Sequence, residues 1–82
     1  MHISSIVVHV DPASSPRVRA DIAAVPGLET HAATDDGRLV VTIEAETDEA
    51  SIAHIDHVRA LPGVHAVAMV FHQFEPDPDQ EI

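Results

Sequence analysis

Gly63-Val-His-Ala-Val-Ala-Met-Val-Phe-His-Gln-Phe-Glu75 is the stretch on which the reading of this chain turns. Its larger apolar residues, Val67, Met69 and Phe71, recur at every second position, and the intervening phase holds Ala66, Ala68, Val70 and His72. A period of two is that of a β-strand, because successive side chains leave a strand on opposite faces. The bulky phase predicts a buried face, and the small phase a less demanding one. The run then turns polar, from Phe71 to Glu75, as a chain does on leaving a sheet.

Working back from this strand, Pro62-Gly63 stops a helix that opens at Thr47-Asp48, with Thr47 as cap and Glu49 in the first turn, where the helix dipole favours an acid. Ile52, Ile55, Val58 and Leu61 are spaced by three and are read as its apolar face, with His54, Asp56, His57 and Arg59 outside. Before it, Arg38 to Ala45 alternates clearly, with Leu39, Val41 and Ile43 in one phase and Val40, Thr42 and Glu44 in the other. Thr34-Asp-Asp-Gly37 supplies hairpin chemistry, and Leu28 to Ala33 predicts a weak edge strand. Pro26-Gly27 stops an earlier helix whose start is Ser14-Ser15-Pro16 and whose apolar face is Val18, Ile22 and Val25. The chain begins with a strand, Ile3 to Val10, in which Ile6, Val8 and Val10 share one phase and Ser5, Val7 and His9 the other. Asp11-Pro12 breaks it.

The order is strand, helix, strand, strand, helix, strand, and the halves repeat around two apolar-Pro-Gly-apolar stops, Val25 to Leu28 and Leu61 to Val64. Two split βαβ halves pack as an α+β ferredoxin-like sandwich: a four-stranded antiparallel sheet of order 4-1-3-2 with both helices on one face. Residues 1–75 are expected to form this single domain, and the acid- and proline-rich segment 76–82 a disordered tail.

Eighty-two residues leave room for one core only. Cysteine is absent, which removes disulfides, thiolate metal sites and thiol catalysis. No apolar run approaches the ~18–20 residues of a membrane span, and Met1-His2-Ile3 leads straight into a strand, so a cytoplasmic protein without membrane insertion is expected. Fourteen acidic residues face four arginines and no lysine, a formal charge of −10. Such a chain has no basic patch for nucleic acid and favours a basic partner, or simply stays soluble.

Seven histidines invite a metal reading, but His54 and His57, three apart on a helix, lack a third ligand at useful spacing, so neither a metal nor any other cofactor is expected. His9 and His72 are placed on one sheet face, where they can contact a partner or respond to pH. None of the five serines sits in a nucleophile elbow. Acylphosphatase, a small enzyme of this topology, needs an arginine-bearing phosphate loop after the first strand, but here that loop reads Asp11-Pro-Ala-Ser-Ser-Pro16. No catalytic residue is assigned. What remains is the sheet face away from the helices, expected to show Ser5, Val7, His9, Val40, Thr42, Glu44, Ala66, Ala68, Val70 and His72. Its short central side chains let another backbone or helix come close, and Glu44 can pair with a basic group. A second copy of the chain is the alternative occupant.

Several of these stretches resemble the NapD family: Ser4-Ser-Ile-Val-Val-His-Val10, Val25-Pro-Gly-Leu-Glu29, Gly37 to Ala45, and above all Val67-Ala-Met-Val-Phe-His-Gln-Phe-Glu75. The resemblance runs from Ile3 to about Glu75, and the aromatic-His-Gln-x-Glu ending at Phe71, His72, Gln73 and Glu75 is its most specific part, with Phe71 standing where tyrosine is expected. It implies a cytoplasmic assembly chaperone of the periplasmic nitrate reductase; the chain is expected to be a monomer or weak dimer. Such a chaperone binds the twin-arginine signal peptide of the catalytic subunit and delays export until the molybdenum cofactor is inserted. The peptide is then expected to lie as a helix on Val7, Val40, Ala66, Ala68 and Val70, its arginines meeting Glu44, Glu46 or Glu75. Leu61-Pro-Gly-Val64 and Leu39 to Ala45 also resemble the effector domains of amino-acid-responsive transcription regulators, so a standalone dimeric ligand sensor is the alternative, although no helix-turn-helix accompanies it.

Overall fold

The alternating segments pair into one antiparallel sheet in the computed structural model, which describes residues 1–74. The elements are β1 (His2–Val10), a 3-10 turn (Pro12–Ser14), α1 (Ser15–Ala23), β2 (Leu28–Ala33), β3 (Arg38–Ala45), α2 (Asp48–Arg59) and β4 (Val64–Phe74). Strand order is β2-β3-β1-β4, every neighbour antiparallel, which is the expected ferredoxin-like 4-1-3-2 sheet. Glu75 and the expected acidic tail lie outside the described residues.

The core follows from the two periodicities. Ile6, Val8 and Val10 of β1 and Leu39, Val41 and Ile43 of β3 point to one side, where Val18 and Ile22 of α1 and Ile55 and Val58 of α2 cover them. Burying each such aliphatic side chain is worth about 1.5–3 kcal/mol, which sets both helices on that side of the sheet. α2 starts as the sequence suggests: Thr47 Oγ1 accepts from the Ala50 N–H at 3.1 Å, Asp48 and Glu49 fill the first turn, and His57 and Arg59 the last. Two details differ. Ile52 is 58% exposed, and Ser51 takes the inward position with Ile55 and Val58. A spacing of three falls about 60° short of a full turn at each step, so 52, 55, 58 and 61 cannot all share a face, whereas 51, 55 and 58 can. Ser14 makes no side-chain cap bond; Asp11 instead caps the 3-10 turn, its Oδ1 accepting from the Ala13 N–H at 3.2 Å.

The β2–β3 turn is closed by Thr34, whose hydroxyl donates to Asp36 and accepts from the Arg38 N–H at 3.0 Å. The Thr34 hydrogen bond and the nearby Arg38 guanidinium hold the Asp36 carboxyl below its ordinary value of 3.8. A carboxyl depressed on folding stabilises the fold above its unfolded value and loses that contribution as pH falls through the folded one. Denaturation of Asp36→Asn and the native chain should therefore differ by a small amount at neutral pH, and the difference should vanish in acid.

β4 departs from simple alternation. Its pairing with β1 runs Val8↔Val67, Val7↔Ala68 and Ile6↔Met69, then skips Val70 and resumes at Ser5↔Phe71, Ser4↔His72 and Ile3↔Gln73. Val70 is thus the extra residue of a β-bulge, and beyond it the faces are exchanged relative to the expected phase. Phe71 lies on the open face with Ser5, and His72 lies on the helix side with the buried Ser4. The expected placement of Phe71 in the core and of His72 on the open face is corrected accordingly. Met69 keeps the expected phase but is 51% exposed, because β4 is an edge strand that the helices cover incompletely.

Candidate functional site

The face of the sheet turned away from the helices is an array of cross-strand pairs. Ile3 stands between Glu44 and Gln73, Ser5 between Thr42 and Phe71, Val7 between Val40 and Ala68, and His9 between Arg38 and Ala66. On the outer side of β3, Glu29 is opposite Thr42 and Ala32 opposite Val40. His31 is the extra residue at a register shift of β2, and its Nε2 is 2.7 Å from the Thr42 hydroxyl on this same face.

Ser5, Val7, His9, Val40, Thr42, Glu44, Ala66 and Ala68 are therefore brought together as the sequence suggests. Val70 sits at the bulge without a β1 partner, 61% exposed at the border of the patch. His72 is not part of it. Ile3, Glu29, His31, Phe71 and Gln73 join the face without having been anticipated. For Glu29 the signal is its position next to Leu28, whose inward side chain forces its neighbour outward.

The assembled face has a shape and a polarity. Ala66 and Ala68 beside Val7 leave a shallow apolar floor, with Phe71, half exposed, standing next to it. Glu29, opposite Thr42 on β2, and Glu44, two residues beyond Thr42 on β3 and opposite Ile3, lie at the end of the face where β1 starts, whereas Arg38 lies at the opposite end beside His9. Six residues of strand separate Ile3 from His9, about 20 Å at the rise of an antiparallel strand. One end of the patch is acidic and the other carries a guanidinium.

On the other side of the sheet His72 meets different neighbours. Its Nδ1 is 2.8 Å from Ser4 Oγ, its ring stacks on His2 with centroids 5.4 Å apart, and Asp48 Oδ1 of the first turn of α2 is 3.0 Å from His2 Nδ1. Ser4 is fully buried, so its hydroxyl needs this partner. His2, Asp48 and His72 are the one group among the described residues with ligand atoms close enough to share a metal ion, and His54 and His57 do not belong to it.

Comparison with known proteins gives a consistent result. Residues 1–76 match the family model described as NapD protein. The chain is 35% identical over 80 residues to the chaperone NapD of Escherichia coli K12, covering 95% of this chain and 91% of that protein. The solution structure of the E. coli Tat proofreading chaperone NapD is similar with a TM-score of 0.80 at 32% identity, over 98% of this chain and 85% of that one. A transcriptional regulatory protein of the AsnC family from Pyrococcus furiosus shares the fold at a TM-score of 0.74 and 15% identity, over 96% of this chain and 55% of that one. At that identity the likeness is one of fold alone.

Proposed function

The chain belongs to the NapD family of non-catalytic chaperones, and from that premise we propose that it holds the twin-arginine signal peptide of a periplasmic nitrate reductase catalytic subunit on the open face of its sheet. Bound in the cytoplasm, the peptide is withheld from export until the molybdenum cofactor has been inserted. The observation that supports this placement is the pairing of a shallow apolar floor with an acidic corner on one face. A twin-arginine peptide has the complementary design, two guanidiniums followed by an apolar stretch.

A helix about 10 Å across spans two strands spaced about 4.8 Å apart, so it fits over β1 and β4 along Val7, Ala66 and Ala68, flanked by Val40, Val70 and Phe71. Its arginines meet Glu29 and Glu44, and Arg38 at the far end disfavours the reversed orientation. Exposed ion pairs contribute only about 0–1 kcal/mol each, so burial of the apolar stretch supplies most of the affinity. The formal charge of −10 speeds encounter with a basic segment. Among the described residues no helix is long and apolar enough to cross a membrane.

Titrating isotope-labelled protein with the signal peptide should shift the amides of Val7, Val40, Ala66, Ala68 and Phe71. Shifts confined to α1 and α2, with the open face silent, would sink the placement. A stable dimer that gains thermal stability with a free amino acid and ignores the peptide would instead favour a ligand sensor.

A further inference from the structure

We propose that His2, Asp48 and His72 form a binding site for a divalent transition-metal cation, with zinc the best match. The three candidate ligand atoms converge from three elements: the start of β1, the first turn of α2 and the far end of β4. Their separations are 3.0 Å for His2 Nδ1 to Asp48 Oδ1, 3.4 Å for His2 Nδ1 to His72 Nε2, and 3.7 Å for His72 Nε2 to Asp48 Oδ1. A tetrahedral zinc with bonds of about 2.0–2.1 Å places its ligand atoms about 3.3–3.4 Å apart, and the observed triangle is centred on that value.

Hydrogen bonding alone accounts poorly for the arrangement. The one proton that neutral His2 Nδ1 can carry serves Asp48 at 3.0 Å. His72 Nε2 is then left 3.7 Å from Asp48 and 3.4 Å from His2, beyond good hydrogen-bond range of both. The other nitrogen of His72 is already engaged, 2.8 Å from the hydroxyl of fully buried Ser4. In the tautomer where Nδ1–H donates to Ser4, Nε2 is unprotonated and free to take a cation beside His2 Nδ1 and Asp48 Oδ1. That is how a ligating histidine is usually oriented, with its second ring nitrogen held by an outer partner.

Two imidazoles and one carboxylate select zinc, copper or nickel over calcium and magnesium, which prefer all-oxygen sites. The positive end of α2 works against a cation, and the Asp48 carboxylate together with the formal charge of −10 offsets it. Asp48 has 67% of its side chain exposed and His72 35%, so a fourth position is open to water. A bound ion ties the otherwise lightly covered end of β4 to β1 and α2. The site lies on the opposite face of the sheet from the peptide patch and does not depend on that reading.

The test is titration of the full chain with zinc by calorimetry and with cobalt by visible absorption. One equivalent of zinc should bind, cobalt should give the intense bands of a four-coordinate site, and zinc in hundredfold excess over its Kd should raise Tm by about 10–20 °C. Asp48→Asn, which alters an exposed side chain, should weaken binding at least tenfold, as should His2→Ala and His72→Ala. The double variant His54→Ala/His57→Ala should bind as the native chain does. Absence of stoichiometric binding, retention of it in both Asp48→Asn and His2→Ala, or its loss in the His54/His57 variant would overturn the proposal.

Discussion

Replacing Ala68 by tryptophan is expected to weaken binding of a twin-arginine signal peptide at least tenfold, about 1.4 kcal/mol, while leaving Tm within about 2 °C of the native chain. Ala68 is exposed, lies opposite Val7, and has the small Ala66 two residues away on the same face. An indole there meets solvent in the free protein and disturbs no core contact, but it occupies the space a bound helix needs. The neighbouring residue Met69 points to the other side, so Met69→Ala should leave peptide affinity unchanged. A sharper comparison uses the two residues exchanged by the bulge. Phe71→Ala should cost affinity with little loss of stability, and His72→Ala should cost stability by orphaning the buried Ser4 hydroxyl, about 1–3 kcal/mol, with little loss of affinity. Equilibrium binding and chemical denaturation on all four variants decide the matter. The reverse outcome, with Phe71→Ala unfolding and His72→Ala losing the peptide, would place the faces in strict alternation and remove the bulge.

Most of the sheet was legible because Ile6, Val8, Leu39, Val41 and Ile43 combine an unbroken period of two with full burial. The order of strands followed from the two Pro-Gly stops and the handedness of the crossovers. The end of β4 was not legible from periodicity, since Val70 and Phe71 are both apolar and an extra residue between two apolar phases leaves no mark on the pattern. A different signal was present. Ser4 falls in the buried phase of β1, and a buried hydroxyl requires a polar partner, which only a polar residue of a neighbouring element can supply. His72 meets that need once the bulge turns it inward. Glu29 escaped notice because Leu28 is the single strong apolar marker of an inward face in β2, a signal weaker than the alternation of β1 and β3. The His2–Asp48–His72 cluster is farther still from sequence reasoning: its members are separated by 46 and 24 positions and meet only through the strand order and the bulge together.

Gly63→Ala should destabilise the domain by about 3 kcal/mol and lower Tm by more than 10 °C. Gly63 has φ +89°, and a Cβ built there would lie 2.5 Å from Ser14 Cβ and 2.7 Å from Ser14 Oγ. The left-handed backbone costs an alanine about 1–2 kcal/mol, and the overlap with Ser14 adds about 1–3 kcal/mol because neither partner can easily retreat. Gly63 O accepts from the Asp11 N–H at 2.9 Å, which pins the start of β4 to the end of β1, and Ser14 is held at the junction of the 3-10 turn and α1. The two contributions can be separated. Ser14 makes no side-chain cap bond, so Ser14→Gly alone should cost only a few tenths of a kcal/mol. Combined with Gly63→Ala it removes the overlap but leaves the backbone strain. The double variant should therefore be more stable than Gly63→Ala by about 1–2 kcal/mol, a coupling that urea denaturation of the four proteins can resolve. Equal stability of Gly63→Ala and the native chain would mean that the Ser14–Gly63 contact yields freely. The register of β4, and with it the position of Ala66 and Ala68 on the open face, would then be fixed by pairing with β1 alone.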